Sequence, residues 1–175
     1  MSPLILPFNG IRPRIAASAF IAPGAVIIGD VEIGEDANIW FGCVLRGDVA
    51  GLVVGARSNV QDGTVVHGST GKPPTHIGAD VTIGHMALIH ACRLEDGSFV
   101  GMKACVADGA VVETGAMVAA GAVVTPGKRV PSGELWGGNP ARLMRPLREE
   151  ERAYIRELPS RYVQLSREHR GGAPR

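Results

Sequence analysis

The most prominent feature of the chain is an aliphatic residue that recurs every six positions over most of its length. The series runs through Ile15, Ile21, Ile27, Ile33, Ile39, Leu45, Val54, Val60, Val66, Ile77, Ile83, Ile89, Leu94, Val100, Val106, Val112, Val118, Val124 and Val130 and ends at Trp136. Three extra residues before Val54, the loop HGSTGKPPTH and one missing residue before Leu94 interrupt it. A small residue, most often Ala, lies four positions after most members, and Gly is frequent between them.

A period of six fits neither the 3.6-residue turn of an α-helix nor the simple alternation of a strand. It fits a short strand and a turn repeated three times per coil, which gives a triangular prism of roughly 18 residues per coil. The aliphatic residue fills the interior, the small residue lies beside a corner, and Gly permits the tight bend. A two-sheet sandwich would also have short strands, but it would not keep one register throughout. We therefore predict an all-β fold, a left-handed parallel β-helix, over residues 1–146.

The repeat ends near GGNPARLMRPL, where the composition becomes charged and helix-forming. We predict a C-terminal helix over residues 147–170 that packs along one face of the prism; an interaction helix for a partner is the alternative. Its apolar stripe would consist of Ile155, Leu158, Tyr162, Val163 and Leu165. Pro159 is expected to kink or break the helix, with Ser160 capping the second part. Residues 171–175 are expected to form a disordered tail.

Composition and charge restrict the classes of function. Lys and Arg number 18 against 17 Asp and Glu, a formal charge of +1, so nothing electrostatic favours nucleic acid or a membrane surface as partner. The chain shows neither the apolar run of a signal peptide nor an apolar stretch of about 18 residues that could span a membrane. We therefore expect a cytoplasmic protein, with Cys43, Cys92 and Cys105 as reduced, structural thiols.

Counting in repeats brings two of the five histidines together. His67 and His90 are each the second residue of a repeat, and their repeats, which start at Val66 and Ile89, are one full coil apart. They should stack on one face of the prism, about 5 Å apart along its axis, where two imidazoles can share a metal ion. Arg46 has the same position one coil earlier.

A third histidine, His85, falls on the neighbouring face, with Gln61 and Asp62 one coil earlier. Within one chain it should point away from the stacked pair, but a second copy packed alongside could bring it there, and a cyclic trimer would do so three times. Three neutral imidazoles with an open fourth position describe a catalytic Zn²⁺ site, which lowers the pKa of bound water to about 7. His76 and His169 lie outside this pattern and are predicted to be solvated.

Four segments carry a family resemblance: VLRGD (44–48), SNVQDGTVVH (58–67), IGHMALIHAC (83–92) and WGGNPARLMRPL (136–147). With these segments the sequence resembles the gamma-class carbonic anhydrase family, and more closely its shorter bacterial members of the hexapeptide-repeat type. The resemblance covers nearly the whole chain. Its specific part is the spacing of the three histidines, with Gln and Asp six and five residues before the first.

The resemblance implies a homotrimer with a metal ion at each subunit interface. Zn²⁺ is the expected ion, with Fe²⁺ or Co²⁺ as alternatives, because imidazole ligands do not separate these metals. His67 and His90 would come from one subunit and His85 from the next. Arg46 and Asp48 would form an ion pair across the interface, with Arg46 near the anionic product; the pair could also serve to hold the trimer together.

The implied reaction is the reversible hydration of CO₂ to bicarbonate by a metal-bound hydroxide. Gln61 would hydrogen-bond this hydroxide, while Asp62 and Asn59 would support the ligands. The family prototype passes the released proton to two glutamates, one directly after the Arg-x-Asp aspartate and one in a loop after the first histidine. Here Val49 and the segment 68–75, which carries no acid, stand in their place. Proton release would depend on water or buffer, so weak activity is expected.

Two other functions stay open at this point. In the wider hexapeptide-repeat group, a histidine acts as general base in acyl transfer to or from coenzyme A, or in thioester hydrolysis. A long coenzyme A-binding extension is not evident in this sequence, and a metal shared by three histidines would occupy the base. The third possibility is a non-catalytic trimeric scaffold, which would keep its full thermal stability without metal.

Overall fold

The computed structural model describes residues 2–171, which form a parallel β-helix of about seven turns and one C-terminal helix. The predicted β-helix is thus confirmed. The strands are β1 Leu4–Leu6, β2 Arg14–Ile15, β3 Phe20–Ile21, β4 Val26–Ile33, β5 Asn38–Ile39, β6 Val44–Val54, β7 Asn59–Val60, β8 Val65–His67, β9 Thr75–Ile77, β10 Thr82–Ile83, β11 Leu88–His90, β12 Arg93–Leu94, β13 Phe99–Val100, β14 Cys105–Val106, β15 Val111–Val112, β16 Met117–Val118, β17 Val123–Val124, β18 Arg129–Val130, β19 Glu134–Gly137 and β20 Arg142–Pro146. The helix is α1, Glu149–His169.

The interior of the prism consists of the repeated aliphatic side chains. Ile27, Leu45, Val66 and Ile89 are among those with no exposed surface. Successive side chains of a strand point to opposite sides, so the residues before and after each of these face outward. This alternation makes the outer surface of each strand available for chemistry without disturbing the core.

The strands form two sheets that follow the coils of the prism. The larger contains the order β17-β14-β11-β8-β6-β9-β12-β15-β18, with β4, β1 and β2 beyond β6, and the smaller runs β20-β19-β16-β13-β10-β7-β5-β3. Pairing is parallel between coils, as stacked repeats require. The antiparallel pairing of β19 with β20 was not predicted from the repeat.

Strand β6 explains the three extra residues before Val54. It is eleven residues long and pairs with β8 through Val44–Arg46 and with β9 through Leu52–Val54. The added residues therefore lengthen one strand around a corner of the prism and leave the stacking of the coils intact.

Helix α1 begins at Glu149, two residues later than predicted, and runs without interruption to His169. The expected break at Pro159 is wrong, and Ser160 does not cap a second segment, because its hydroxyl donates to the Glu157 carbonyl inside the helix. Pro159 removes one backbone donor, a loss that the packing of its buried neighbours against the prism outweighs. A bend at Pro159 stays a prediction.

Two apolar clusters hold α1 against the prism, which supports packing over the free interaction helix. Leu135, Leu147 and Ile155 form one cluster. Phe20 and Trp40, with Tyr162 and Leu165 of the helix, belong to the other.

Past the end of α1, the Gly171 N–H donates to the Glu168 carbonyl, so this residue of the expected disordered tail has a defined position. Residues 172–175 lie outside the described part of the chain. Within residues 2–171, the only helix lacks the apolar character needed to cross a membrane.

Candidate metal centre

Two predicted metal ligands lie side by side on the outer surface of the larger sheet. His67 of β8 and His90 of β11 are in register, with ring centroids 5.2 Å apart. Arg46 of β6 is in register with His67, so the three side chains form a column one coil apart. Each follows an inward aliphatic residue, which is why it points outward. The six-residue count therefore placed these three residues as the structure has them.

The two imidazoles face each other through one nitrogen and bind a carboxylate through the other. His67 Nδ1 lies 3.2 Å from His90 Nε2. On the far sides, His67 Nε2 is 2.9 Å from Asp48 Oδ1, and His90 Nδ1 is 2.6 Å from Asp108 Oδ1. An ionised carboxylate only accepts hydrogen bonds, so the far nitrogens carry the protons, and in neutral rings the facing nitrogens then present lone pairs.

This arrangement fits a divalent metal. Two lone pairs facing each other at 3.2 Å repel unless a cation or a proton lies between them. Two nitrogen ligands of a tetrahedral Zn²⁺ ion, each 2.0–2.1 Å from the metal, are themselves about 3.3 Å apart. Metal-binding histidines also commonly donate their second N–H to a carboxylate, which fixes the tautomer and the ring.

Asp48 is held in place from two sides. Its Oδ1 accepts from His67, and its Oδ2 accepts from the Arg46 guanidinium at 2.5 Å, within the same chain. Burial acts to raise the pKa of Asp48, but these two hydrogen bonds outweigh it and hold the pKa below its ordinary value. The residue between Arg46 and Asp48 is Gly47, and no side chain fits there because a Cβ would lie 2.4 Å from the Asp30 carbonyl oxygen.

Asp108 is a site residue that the sequence reasoning missed. Its Oδ1 binds His90, and its Oδ2 accepts from the Ser69 hydroxyl at 2.5 Å. The hydrogen bond from Ser69, followed by that from His90, lowers the pKa of this carboxyl. A signal was present: Asp108 follows His90 by 18 residues, about one coil.

The remaining predicted residues gather around the third histidine. His85 Nδ1 lies 2.8 Å from Asp62 Oδ2, so a carboxylate adjoins this ring too. Gln61 is buried and donates to Asn59, which donates to the Thr82 hydroxyl at 2.8 Å. Among residues 2–171, no three His, Cys, Asp or Glu side chains are placed to share a metal ion. One chain thus supplies a pair of stacked imidazoles and, separately, a third.

A cavity of about 300 Å³ lies between His85 and the C-terminal helix. It is lined by Gln61 and by Tyr154, Leu158 and Tyr162 of α1. Burial raises the pKa of Tyr162, which keeps its hydroxyl protonated at neutral pH. The helix therefore forms one wall of the space beside the third histidine.

The two remaining histidines, predicted to be solvated, differ in their exposure. His76 is half-buried in β9 between Val53 and Arg93, and burial lowers its pKa. His169 is exposed, but its ring packs edge-on against Trp40, with centroids 5.2 Å apart. His76 is covered by its neighbours on the prism, whereas the exposure of His169 agrees with the prediction.

The cysteines are free thiols, as predicted. Cys43 and Cys92 are buried, and burial raises the pKa of each to about 12. They are therefore protonated and unreactive at neutral pH.

A ladder of apolar side chains runs beside the histidine column. It contains Leu4, Val26, Val44, Val65, Leu88, Cys105 and Val123, each in register with the next. We call these residues the apolar ladder. Val65 and Leu88 are 38% and 41% exposed, at the coils that carry His67 and His90. An exposed apolar surface of this length on a sheet is typical of a surface that another protein covers.

The chain is similar in sequence and fold to several known proteins. Residues 12–47 match the family model described as bacterial transferase hexapeptide (six repeats). A probable carbonic anhydrase of Methanocaldococcus jannaschii is 54% identical over 152 residues, which cover 87% of this chain and 95% of that protein. A crystal structure of a hexapeptide transferase family protein from Anaplasma phagocytophilum has a TM-score of 0.92 at 48% identity, covering 97% of this chain and 99% of that one.

Longer relatives are similar over the same region. Mitochondrial gamma carbonic anhydrase 2 of Arabidopsis thaliana is 51% identical over 162 residues, which cover 90% of this chain. The match covers only 58% of the length of that protein. This chain therefore spans less than two thirds of the length of that relative.

Proposed function

The chain belongs to the gamma-class carbonic anhydrase family, and we propose that it catalyses the reversible hydration of CO₂ to bicarbonate at a metal site shared between subunits of a homotrimer. The observation that carries the proposal is the His67–His90 pair, with facing nitrogens 3.2 Å apart and a carboxylate on each far nitrogen. Relatives of similar length that bear the name carbonic anhydrase support the reaction.

The third ligand would come from a neighbouring subunit. Like the pair, His85 lies beside a carboxylate, with its Nδ1 2.8 Å from Asp62 Oδ2. The apolar ladder beside His67 and His90 supports assembly, since a neighbouring subunit would cover its exposed residues. A cyclic trimer would form three equal sites and leave no unpaired interface.

Three imidazoles would leave one position of a tetrahedral ion open, as in catalytic zinc sites. When bound, such an ion makes water acidic enough to supply hydroxide near neutral pH. The ligand set suits Zn²⁺, and Fe²⁺ or Co²⁺ would also fit because imidazole binds all three.

The protein's own residues would orient the reactants. The Gln61 amide nitrogen donates to Asn59 at 3.0 Å, which fixes the amide and directs its oxygen to accept from a second group. The Arg46 guanidinium adds positive charge beside His67, where a bicarbonate anion would be favoured. Val49 is 43% exposed and cannot carry a proton, so the released proton would pass to water or buffer.

Subunit complementation tests this proposal. We expect His85→Ala and His90→Ala each to lose most of the bound metal and the CO₂ hydration activity, whereas His76→Ala keeps both. Co-expressed in equal amounts, the two defective chains should recover about a quarter of the wild-type metal, since a complete site needs one particular chain type on each side. Metal content per trimer and stopped-flow CO₂ hydration, under anaerobic conditions with metal supplied, are the measurements.

Two outcomes would contradict the proposal. Absence of recovery in the mixed trimer would show that His85 does not act across an interface. The second outcome is metal-replete protein that does not hydrate CO₂ but cleaves acyl-coenzyme A thioesters even when a chelator is present. This result would favour the acyl-transfer chemistry of other hexapeptide-repeat proteins.

A further inference from the structure

The His90 side of the site is supported by a loop that the proposed reaction does not use. The loop, residues 68–74, joins β8 to β9 and interrupts the six-residue repeat. From it, the Ser69 hydroxyl reaches Asp108, 39 positions further along the chain, at 2.5 Å. Asp108 in turn binds His90 Nδ1 at 2.6 Å. A chain of two hydrogen bonds thus runs from the loop to a proposed metal ligand.

The two imidazoles have equivalent supports built from different residues. Asp48 holds His67 and is itself held by the Arg46 guanidinium. Asp108 holds His90 and is itself held by the Ser69 hydroxyl. In each case one carboxylate oxygen accepts from the ring and the other from a second donor, so the carboxylate cannot rotate without losing a bond.

The support from Ser69 is important because the His90 half of the site is more exposed to solvent than the His67 half. The side chains of His90 and Asp108 are 31% and 35% exposed, against 16% and 17% for His67 and Asp48. An exposed aspartate can adopt several rotamers, and in most of them it would not meet the ring. The Ser69 hydroxyl selects the rotamer that does.

The loop 68–74 is itself held in position by contacts with β8 and β6. The Thr75 hydroxyl at its far end donates to the His67 carbonyl at 2.7 Å, and the Lys72 N–H donates to the Ser69 carbonyl. A Cβ at Gly68 would lie 2.8 Å from the Ala50 side chain, so the loop leaves β8 in close contact with β6. Ser69 therefore starts from a defined backbone position.

We propose that Ser69 and Asp108 are positioning residues that hold His90 as its Nδ1–H tautomer, and that the loop 68–74 sets the metal affinity of the site through them. The inference rests on the proposed function for the nature of the ligand, a divalent metal ion. Residues that orient a metal-binding histidine change metal affinity by about 10- to 100-fold when they are replaced.

Zinc affinity, measured by competition with a chelator on the assembled protein, tests the inference. We expect Asp108→Asn to weaken Zn²⁺ binding about 10- to 100-fold and Ser69→Ala about 3- to 10-fold, with Ser69→Thr close to wild type because it keeps the hydroxyl. Asp96→Asn is the matched control, since Asp96 also precedes a positive-φ glycine in a turn but accepts from the Ala79 N–H instead of a histidine.

A double variant separates positioning from a general loss of stability. If Ser69 acts through Asp108, Ser69→Ala should have no further effect on zinc affinity in an Asp108→Ala background. An undiminished effect of Ser69→Ala in that background would overturn the inference, as would an Asp108→Asn variant that behaves like Asp96→Asn. Unfolding curves of the metal-free variants would identify any that are misfolded.

Nitrogen-15 spectra of metal-free protein make the inference independent of the metal. We expect His90 to be the Nδ1–H tautomer in the wild type and a mixture of tautomers in Asp108→Ala. A wild-type protein that binds none of Zn²⁺, Fe²⁺ and Co²⁺ would refute the proposed function, while the tautomer shift would still test the Ser69–Asp108–His90 chain. An unchanged tautomer in Asp108→Ala would refute the chain.

Discussion

Ile89 and His90 are neighbours in strand β11, yet they belong to different parts of the molecule. Ile89 points inward and has no exposed surface, one of many aliphatic residues stacked in the same core. His90 points outward, where it meets His67 and Asp108. Leu88, on its other side, also points outward, 41% exposed, in the apolar ladder. Three consecutive residues thus have three different environments, which the proposed function would use for assembly, folding and chemistry.

The difference is one of redundancy. The core repeats the same contact in every coil, so the fold is specified by a pattern and no single member defines it. The outer surface changes from coil to coil: the column holds an arginine at position 46 and histidines at positions 67 and 90. A solenoid can therefore acquire a site by a few outward substitutions without any change to the residues that fold it.

The largest effect should come from the inward residue. We expect Ile89→Ala to lower the free energy of unfolding by about 2–5 kcal/mol, because it leaves a cavity in a close-packed core. His90→Ala should change it by less than about 0.5 kcal/mol in metal-free protein, while it removes most of the bound metal. Denaturant unfolding of both variants is the measurement. Equal destabilisation by the two variants would show that core and site are not separable.

A substitution in the apolar ladder should have the next largest effect, a loss of subunit association. Leu88→Asp should weaken subunit association by at least about 100-fold, because a carboxylate loses its hydration when a neighbouring subunit covers it. Val111→Asp is the matched control: Val111 also precedes an inward valine, but it lies between Arg93 and Arg129 on the other part of the sheet. Sedimentation velocity distinguishes monomer from trimer. If both variants stay assembled, the ladder is not the interface.

The sequence predicted the part of the site that depends on counting. Arg46, His67 and His90 occupy equivalent positions of successive coils, so the repeat placed them without any knowledge of side-chain contacts. It equally separated His85 from the pair, since that residue falls past a corner. The loop between β8 and β9 did not disturb the count because both of these strands pair with β6.

The sequence did not predict the partners that depend on side-chain direction. Asp108 lies in the turn VADG, where an aspartate before glycine suggests a turn residue, and its distance of about one coil from His90 does not reveal the contact. Ser69 lies in a loop with no repeat to count from. The predicted helix break at Pro159 was wrong for a related reason. The rule that proline breaks helices considers the lost hydrogen bond and not the burial of Ile155 and Val163 on either side. Local rules are weakest where contacts are distant in sequence.

The smallest expected effect is a change in stability on the side of the prism that α1 covers. This side contrasts with the open face of β11. At the start of α1, the carboxylate of Glu151 accepts two hydrogen bonds from Arg145, at 2.7 and 2.8 Å, and one from the Arg148 N–H. The Arg145 guanidinium, then the Arg148 N–H, lower the pKa of Glu151 from 4.5 to about 2. Since this pKa is depressed in the folded state, the stabilisation is complete above about pH 4.5 and is lost as the pH falls towards 2.

We therefore expect Glu151→Gln to reduce the unfolding free energy of metal-free protein by about 1 kcal/mol at pH 7, as partly exposed ion pairs do. The difference from wild type should shrink between pH 4.5 and pH 2, because the wild-type carboxylate becomes protonated there. Asp48 and Asp108 also have lowered pKa values. Because the wild type and the Glu151→Gln variant both contain these two residues, their contribution cancels in the difference between the two unfolding free energies. Thermal unfolding across this pH range is the measurement. A difference that stays constant with pH would mean that Glu151 stabilises the helix by packing and not by its charge.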